Sequence, residues 1–179
     1  SIASIPGMFE KTITVNGVAK AFAMTGWRIG YIGAPEFIAK ACTKMQGQVT
    51  SGANSIAQRA TIAAVEADPK VLNYMVDAFH KRRDLVVGLI QDIPGLKINV
   101  PEGAFYVFPD VSYYFNKTLK GTLIKDASDL AMYILAEANV ATVTGEAFGN
   151  PDCLRLSYAT SEEQLTEAFR RIKLALIEK

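Results

Sequence analysis

The chain has 179 residues, half of them hydrophobic and 21% charged, with a formal net charge of +1. That apolar share excludes a disordered chain, and the balanced charge gives no reason to expect nucleic acid or an anionic membrane as partner. Two scattered cysteines, Cys42 and Cys153, and one histidine, His80, cannot build a disulfide framework or an ordinary zinc site, so no metal is expected and a reducing, cytoplasmic setting is. No apolar run is long enough to span a bilayer.

In chain order, the opening Ser1-Ile2-Ala3-Ser4-Ile5-Pro6-Gly7 has no initiator Met and none of the parts of a signal peptide. It reads as the interior of a longer chain. Residues 12–15 are β-branched and end at Asn16-Gly17, which predicts a short strand and a turn. Residues 18–28 read as a loop, and 29–33 as a second, buried strand. Pro35 suits a first helical position, with a helix over 36–46. Gln48 to Asn54 is a polar loop, followed by an alanine-rich helix from Ser55 to Ala67. A long helix is expected from about Val71 to Asp92, with Leu72, Met75, Phe79, Val86, Leu89 and Ile90 at helical spacing. Its solvated face takes in His80, which is therefore no candidate general base.

Beyond Pro94-Gly95 the texture changes. Lys97 to Val100 and Ala104 to Phe108 read as strands joined at Pro101-Glu102-Gly103. Asp126 caps a helix through Ala138, Val140 to Val143 is a strand, and Gly145 to Asp152 a loop. Cys153 to Tyr158 is a strand. Ser161 and Gln164 form a capping box for a last helix burying Leu165, Phe169, Ile172 and Leu176. This predicts two pieces: residues 1–70, whose two strands need a larger sheet, and 71–179, a compact α/β unit.

The stretch from Asn16 to Tyr31 carries the chemistry. One lysine, Lys20, is flanked by Gly17, Ala19, Ala21 and Ala23, with bulk at Phe22, Met24 and Trp27. Such surroundings predict a partly desolvated amine with a lowered pKa, free to act as a nucleophile. Eight residues on, Arg28 offers a planar fork suited to a phosphate. An amine for an aldehyde and a fork for a phosphate together suggest pyridoxal 5'-phosphate. A lone pair at this spacing is weak evidence, since such residues are mostly ordinary surface charges.

The wording N-G-V-A-K-A-F-A-M-T-G-W-R-I-G-Y, however, resembles the pyridoxal phosphate attachment region of class I, fold type I aminotransferases, and specifically their aspartate aminotransferase branch. Pro101 to Pro109 is similar to the family's P-x-G-A-F-Y segment, and Leu154 to Ala159 to its R-[LI]-S-[YF]-A strand. The three segments stand in the family's order, so the resemblance covers essentially the whole chain.

The resemblance implies that Lys20 binds the cofactor aldehyde and moves the substrate proton, that Arg28 holds the phosphate, and that Arg155 grips the substrate α-carboxylate. It departs from some relatives at Gly17 and Ala19, where serines are found. The implied fold is α/β: the late part of a mostly parallel large-domain sheet in 1–70, then a connecting helix and the small domain in 71–179. Implied substrates are amino acids and 2-oxo acids, aspartate and 2-oxoglutarate first, and the implied assembly is a homodimer. The loop Gln48–Asn54 is either a capping linker or a segment reaching the partner subunit's site.

The family's phosphate-binding turn, ring-stacking aromatic and ring-nitrogen Asp are expected upstream of Ser1. A C-terminal fragment, inactive alone, is therefore the expectation, with an exposed sheet edge that favours association or partial disorder in residues 1–50. Another aminotransferase specificity (aromatic or alanine), a pyridoxal phosphate lyase, and the aminotransferase-like region of a transcription regulator remain alternatives.

Overall fold

A computed structural model of the chain describes residues 1–177. Of the second expected domain, Glu178 and Lys179 lie outside the described residues. The chain divides into two compact units, Ser1–Asn73 and the residues from Tyr74 onward.

In the first unit, β1 (Thr14–Gly17) and β2 (Gly30–Gly33) form an antiparallel pair with Thr14 opposite Gly33 and Gly17 opposite Gly30. Asn16-Gly17, expected as a turn, is thus part of the ladder. The glycine pair explains this: a Cβ on Gly17 would lie 3.2 Å from the Ile29 carbonyl oxygen, so the strands close most tightly where side chains are missing. Helix α1 (Glu36–Val49) starts after Pro35 and runs three residues past the expected end, while α2 (Ser55–Glu66) is capped by the Asn54 side chain, which accepts from Ala57 N at 2.9 Å.

The small core of this unit is Val18, Met24, Ile29 and Ala57, with Phe22, Ala60 and Ala64 packed against it. Ala57, Ala60 and Ala64 recur at helical spacing, so α2 presents a smooth face on which the 18–29 segment rests. The expected burial of residues 29–33 is not observed. Ile29 is buried, but β2 is exposed along its whole length, because its only ladder partner among the described residues is β1. No parallel pairing occurs among the described residues.

In the second unit, α3 (Asn73–Gln91) follows a 3-10 turn at Pro69–Leu72, so the single helix expected from Val71 begins as a tighter turn. His80 is exposed on it. Three strands, β3 (Tyr106–Val107), β6 (Val143–Thr144) and β7 (Leu154–Ser157), form an antiparallel sheet in the order β3-β7-β6. A separate hairpin, β4 (Lys117–Leu119) and β5 (Thr122–Ile124), turns through Lys120 and Gly121, both at positive φ. Sequence reading assigned nothing there.

The strand expected at Lys97–Val100 reduces to one bridge between Lys97 and Asp110. The reason is that Asp110 also bridges Cys153, so the ladder turns toward β7 and leaves 98–100 unpaired. Helix α4 (Ala127–Ala138) begins at Asp126, whose carboxylate accepts from Ser128 N and Asp129 N. Helix α5 (Glu162–Ile177) buries Leu165, Phe169, Ile172, Ala175 and Leu176. Ser161 accepts from Gln164 N at 3.3 Å, but the Gln164 side chain pairs with the Thr160 hydroxyl, so the expected box closes on one side only. These helices and the inner sheet face enclose one core built on Ile90, Ile93, Val107, Leu130, Ile134, Leu154 and Phe169.

Candidate functional site

Two groups of residues are candidates for chemistry, one in each unit. In the first, the chain leaves β1, buries Val18, and turns through residues 19–22, with Phe22 N donating to Val18 O and Ala23 N to Lys20 O. Met24 and Ile29 are buried on either side of a 3-10 turn at Thr25–Trp27. Pinned at three apolar points, the segment turns its polar residues outward.

Lys20 is an exposed residue, not the covered one that its small and apolar neighbours predict. The reason is geometric: its small neighbours Ala19 and Ala21 carry too little bulk to cover a long side chain. Arg28 is also exposed and sits at φ 55, ψ 47, a left-handed conformation uncommon for a residue with a side chain. Ala23, at φ 53, is the second such residue in the segment. Strain of this kind persists only where the surroundings over-determine it, and it clusters at functional sites. The Arg28 Nη1 donates to Thr25 O at 3.0 Å, which curls the guanidinium back over its own turn.

Arg28 borders an open hollow of about 710 Å³ shared with Ala23, Trp27, Gln46, Thr50 and Asn54. Lys20 is not among its lining residues. Thr50 and Asn54 belong to the loop for which sequence reading left two roles open.

In the second unit, Arg155 lies on β7, the central strand of its sheet rather than an edge. The alternation along this strand is regular. Leu154 is buried, and Leu156 stands opposite Val107, which is 1% exposed; both leucines face the core. Arg155 and Ser157 therefore point to the other face. Ser157 stands opposite Tyr106, so Tyr106 shares the face of Arg155 on a diagonal within side-chain reach.

The Arg155 guanidinium carbon lies 4.4 Å from the centre of the Tyr106 ring and 4.0 Å from that of Phe148. Arg155 is half-buried. Among the described residues no carboxylate pairs with it, and its side chain donates to no protein acceptor.

The P-E-G-A-F-Y segment is tied to this strand. Tyr158, buried at 2% exposure, donates its hydroxyl to Ala104 O at 3.0 Å and its backbone N–H to Phe105 O at 2.9 Å. Ala104 is held at φ 63. Burial pushes the Tyr158 pKa up, with nearby Arg83 opposing, so the phenol stays a donor. Just before β7, the buried Cys153 thiol is also pushed up, by burial first and then by Asp110 and Asp152, which makes it an inert buried residue.

Sequence reading named Arg155 but missed Tyr106 and Phe148 as its neighbours. The period-two register of β3 against β7 could have shown Tyr106. Phe148 comes from a turn whose course no local pattern predicts.

Residues 3–172 match the family described as "Aminotransferase class I and II". The aspartate aminotransferase of Pinus pinaster is 46% identical over 99% of this chain and 37% of its own length. A bifunctional aspartate aminotransferase and glutamate/aspartate-prephenate aminotransferase of Petunia hybrida is 48% identical over 99% of this chain and 38% of its own. The crystal structure of the aspartate aminotransferase of Rhizobium meliloti superposes with a TM-score of 0.92 at 46% identity, covering 96% of this chain and 43% of that one. The chain thus spans about two fifths of the length of the proteins it resembles.

Proposed function

The chain belongs to the aminotransferase class I and II family, and we propose that it is the C-terminal part of a pyridoxal phosphate-dependent aminotransferase exchanging an amino group between aspartate and 2-oxoglutarate. The observation that carries this reading is Arg155: a half-buried guanidinium with no carboxylate partner and no acceptor among the described residues. A cation so placed suits an anionic ligand, and its fork matches a carboxylate. The names of the relatives support aspartate as the donor, and they favour an enzyme over a regulator.

The residues present fit the cofactor. Arg28 offers N–H donors beside a hollow that also holds the Thr50 hydroxyl and the Asn54 amide, a donor set suited to phosphate. Lys20 offers an amine in the same segment. When bound, pyridoxal phosphate supplies the electron sink that makes the substrate Cα proton acidic.

The rest falls to the chain. Arg28 holds the phosphate end by charge and hydrogen bonds. Lys20 would hold the cofactor at its aldehyde carbon and, with its amine free, would carry the proton from the substrate Cα to the cofactor C4′, acting as base and then as acid. Arg155 fixes the α-carboxylate, so that Cα is always presented in one orientation. We further propose that residues 1–70 belong to the cofactor-binding large domain and its mostly parallel sheet, and 71–179 to the connecting helix and small domain. The intact enzyme is a cytoplasmic homodimer in this reading. Among the described residues no helix is long and apolar enough to cross a membrane.

The test is made on the intact enzyme. Borohydride reduction followed by peptide mapping is expected to label Lys20, and Lys20→Ala to lower turnover at least about a hundredfold. Label at another lysine, or a Lys20→Ala enzyme near full activity, would refute the assignment. The 179-residue chain, mixed with cofactor, aspartate and 2-oxoglutarate, is expected to show no turnover.

A further inference from the structure

We infer that Tyr106 and Phe148 form an aromatic clamp that positions Arg155 for its carboxylate ligand; the identity of that ligand rests on the function proposed above. Three observations carry this. First, both rings meet the guanidinium at stacking distance, 4.4 Å and 4.0 Å from centre to Cζ. Second, the two rings come from separate parts of the unit. Tyr106 is placed by the β3–β7 register. Phe148 ends a 3-10 turn closed by Gly149 at φ 88. Third, no carboxylate within ion-pair distance holds Arg155 among the described residues.

The third point gives the clamp its purpose. An acidic neighbour would fix the arginine, but it would also occupy the N–H donors that the ligand needs. An aromatic ring attracts the cation through its quadrupole and takes up none of the in-plane donors. Two rings therefore immobilise a long, rotamer-rich side chain, while its donor edge stays free. Ligand binding then no longer has to order the side chain, which is the general gain from preorganisation. Lysine could not replace arginine here, because it has no planar group to stack.

Tyr106 has a second support. Its neighbours Ala104 and Phe105 accept hydrogen bonds from Tyr158, so the backbone that delivers this ring is tied to the strand that delivers the arginine. Phe148 is tied less directly, its N–H donating to Gly145 O and Gly145 N–H to Cys153 O beside β7, and nearly half of its surface is exposed at 48%. The inference thus assigns Tyr106 as the fixed jaw and Phe148 as the exposed one, both as positioning residues.

The experiment uses the 179-residue chain and the side-chain Nε–H signal of Arg155 in nitrogen–proton correlation spectra, with acetate as probe. The signal is expected upfield of an ordinary arginine because of the ring currents, and acetate is expected to move it saturably. Phe148→Leu should return it toward the ordinary position and raise the acetate half-saturation by roughly three- to thirtyfold, the range expected for loss of a cation–π contact. Phe148→Tyr should restore both. Because Phe148 is exposed, its replacement leaves the core intact, and unchanged amide signals from α4 and α5 verify this. Half-saturation unaltered in Phe148→Leu and in Tyr106→Leu would overturn the clamp and leave the carboxylate role of Arg155 standing. An upfield signal that acetate never moves would overturn that role, and the clamp's purpose with it.

Discussion

The two units bury their apolar residues to very different degrees. From Tyr74 onward, helices and strands share one core in which Ile90, Ile124 and Leu130 are fully buried. In the first unit, α1, β1 and β2 have no buried residue at all, and Val15 and Phe37 are 75% and 73% exposed. Its core is confined to the underside of the lysine segment. The difference teaches that the second unit holds its arginine on a self-sufficient scaffold. The first holds its lysine and arginine on a local pin whose surrounding apolar faces have no cover among the described residues. Hydrophobic burial is the main favourable term in folding, so the first unit should be the weaker one.

The largest expected effect tests that contrast directly. Phe169, 4% exposed on α5, lies in the larger core. Phe169→Ala is expected to cost about 3–5 kcal/mol, read as a lower urea midpoint of far-ultraviolet ellipticity. Trp27 is the only tryptophan and belongs to the first unit, so its fluorescence reports that unit. In the unaltered chain its transition should come at lower urea than the ellipticity change. Coincident transitions would mean that the units unfold as one and would break the comparison.

Helix caps sharpen it on a smaller scale. Asp126→Ala and Asn54→Ala each remove a side chain that accepts from helix N-terminal N–H groups, worth about 1 kcal/mol. In the second unit this should lower stability with α4 still protected from hydrogen exchange. In the first, the amide of Ala57 should lose protection outright, since α2 rests on only a few apolar contacts. Equal residual protection at the two sites would count against the contrast.

The last effect, nil at neutral pH, is a pH dependence of the second unit. Burial pushes the Tyr114 phenol up to about 12, from an ordinary 10, and its hydroxyl donates to Pro94 O. The native state therefore keeps this proton longer than the unfolded chain does. The stability it contributes is complete below pH 10 and declines as pH rises from 10 to about 12. Tyr114→Phe should flatten that decline in urea midpoints. A slope unchanged by the substitution would assign the decline to other groups.

Much of the fold was legible because it rests on local chemistry. Asp126 marks the start of α4 by its capping carboxylate, and the apolar spacing of α5 names its buried face, Leu165, Phe169, Ile172 and Leu176. The β4–β5 hairpin was not legible, because Lys120-Gly121 lacks the Asn or Asp that usually marks such a turn. Residues 97–100 are apolar enough for a strand, but a strand exists only where another offers a ladder, and theirs turns away at Asp110.

The candidate site divides in the same way. The proposed residues, Lys20, Arg28 and Arg155, could be named from the sequence because three motifs stand in the family's order, where residue type alone was weak evidence. Their surroundings do not follow from the sequence alone. The exposure of Lys20, the hollow beside Arg28 and the rings on Arg155 depend on contacts between segments far apart in the chain. The sequence by itself determined the groups, the helices and the family. Only the tertiary structure decided which arginine stands on a finished scaffold and what holds it, because burial and stacking are made between elements rather than within them.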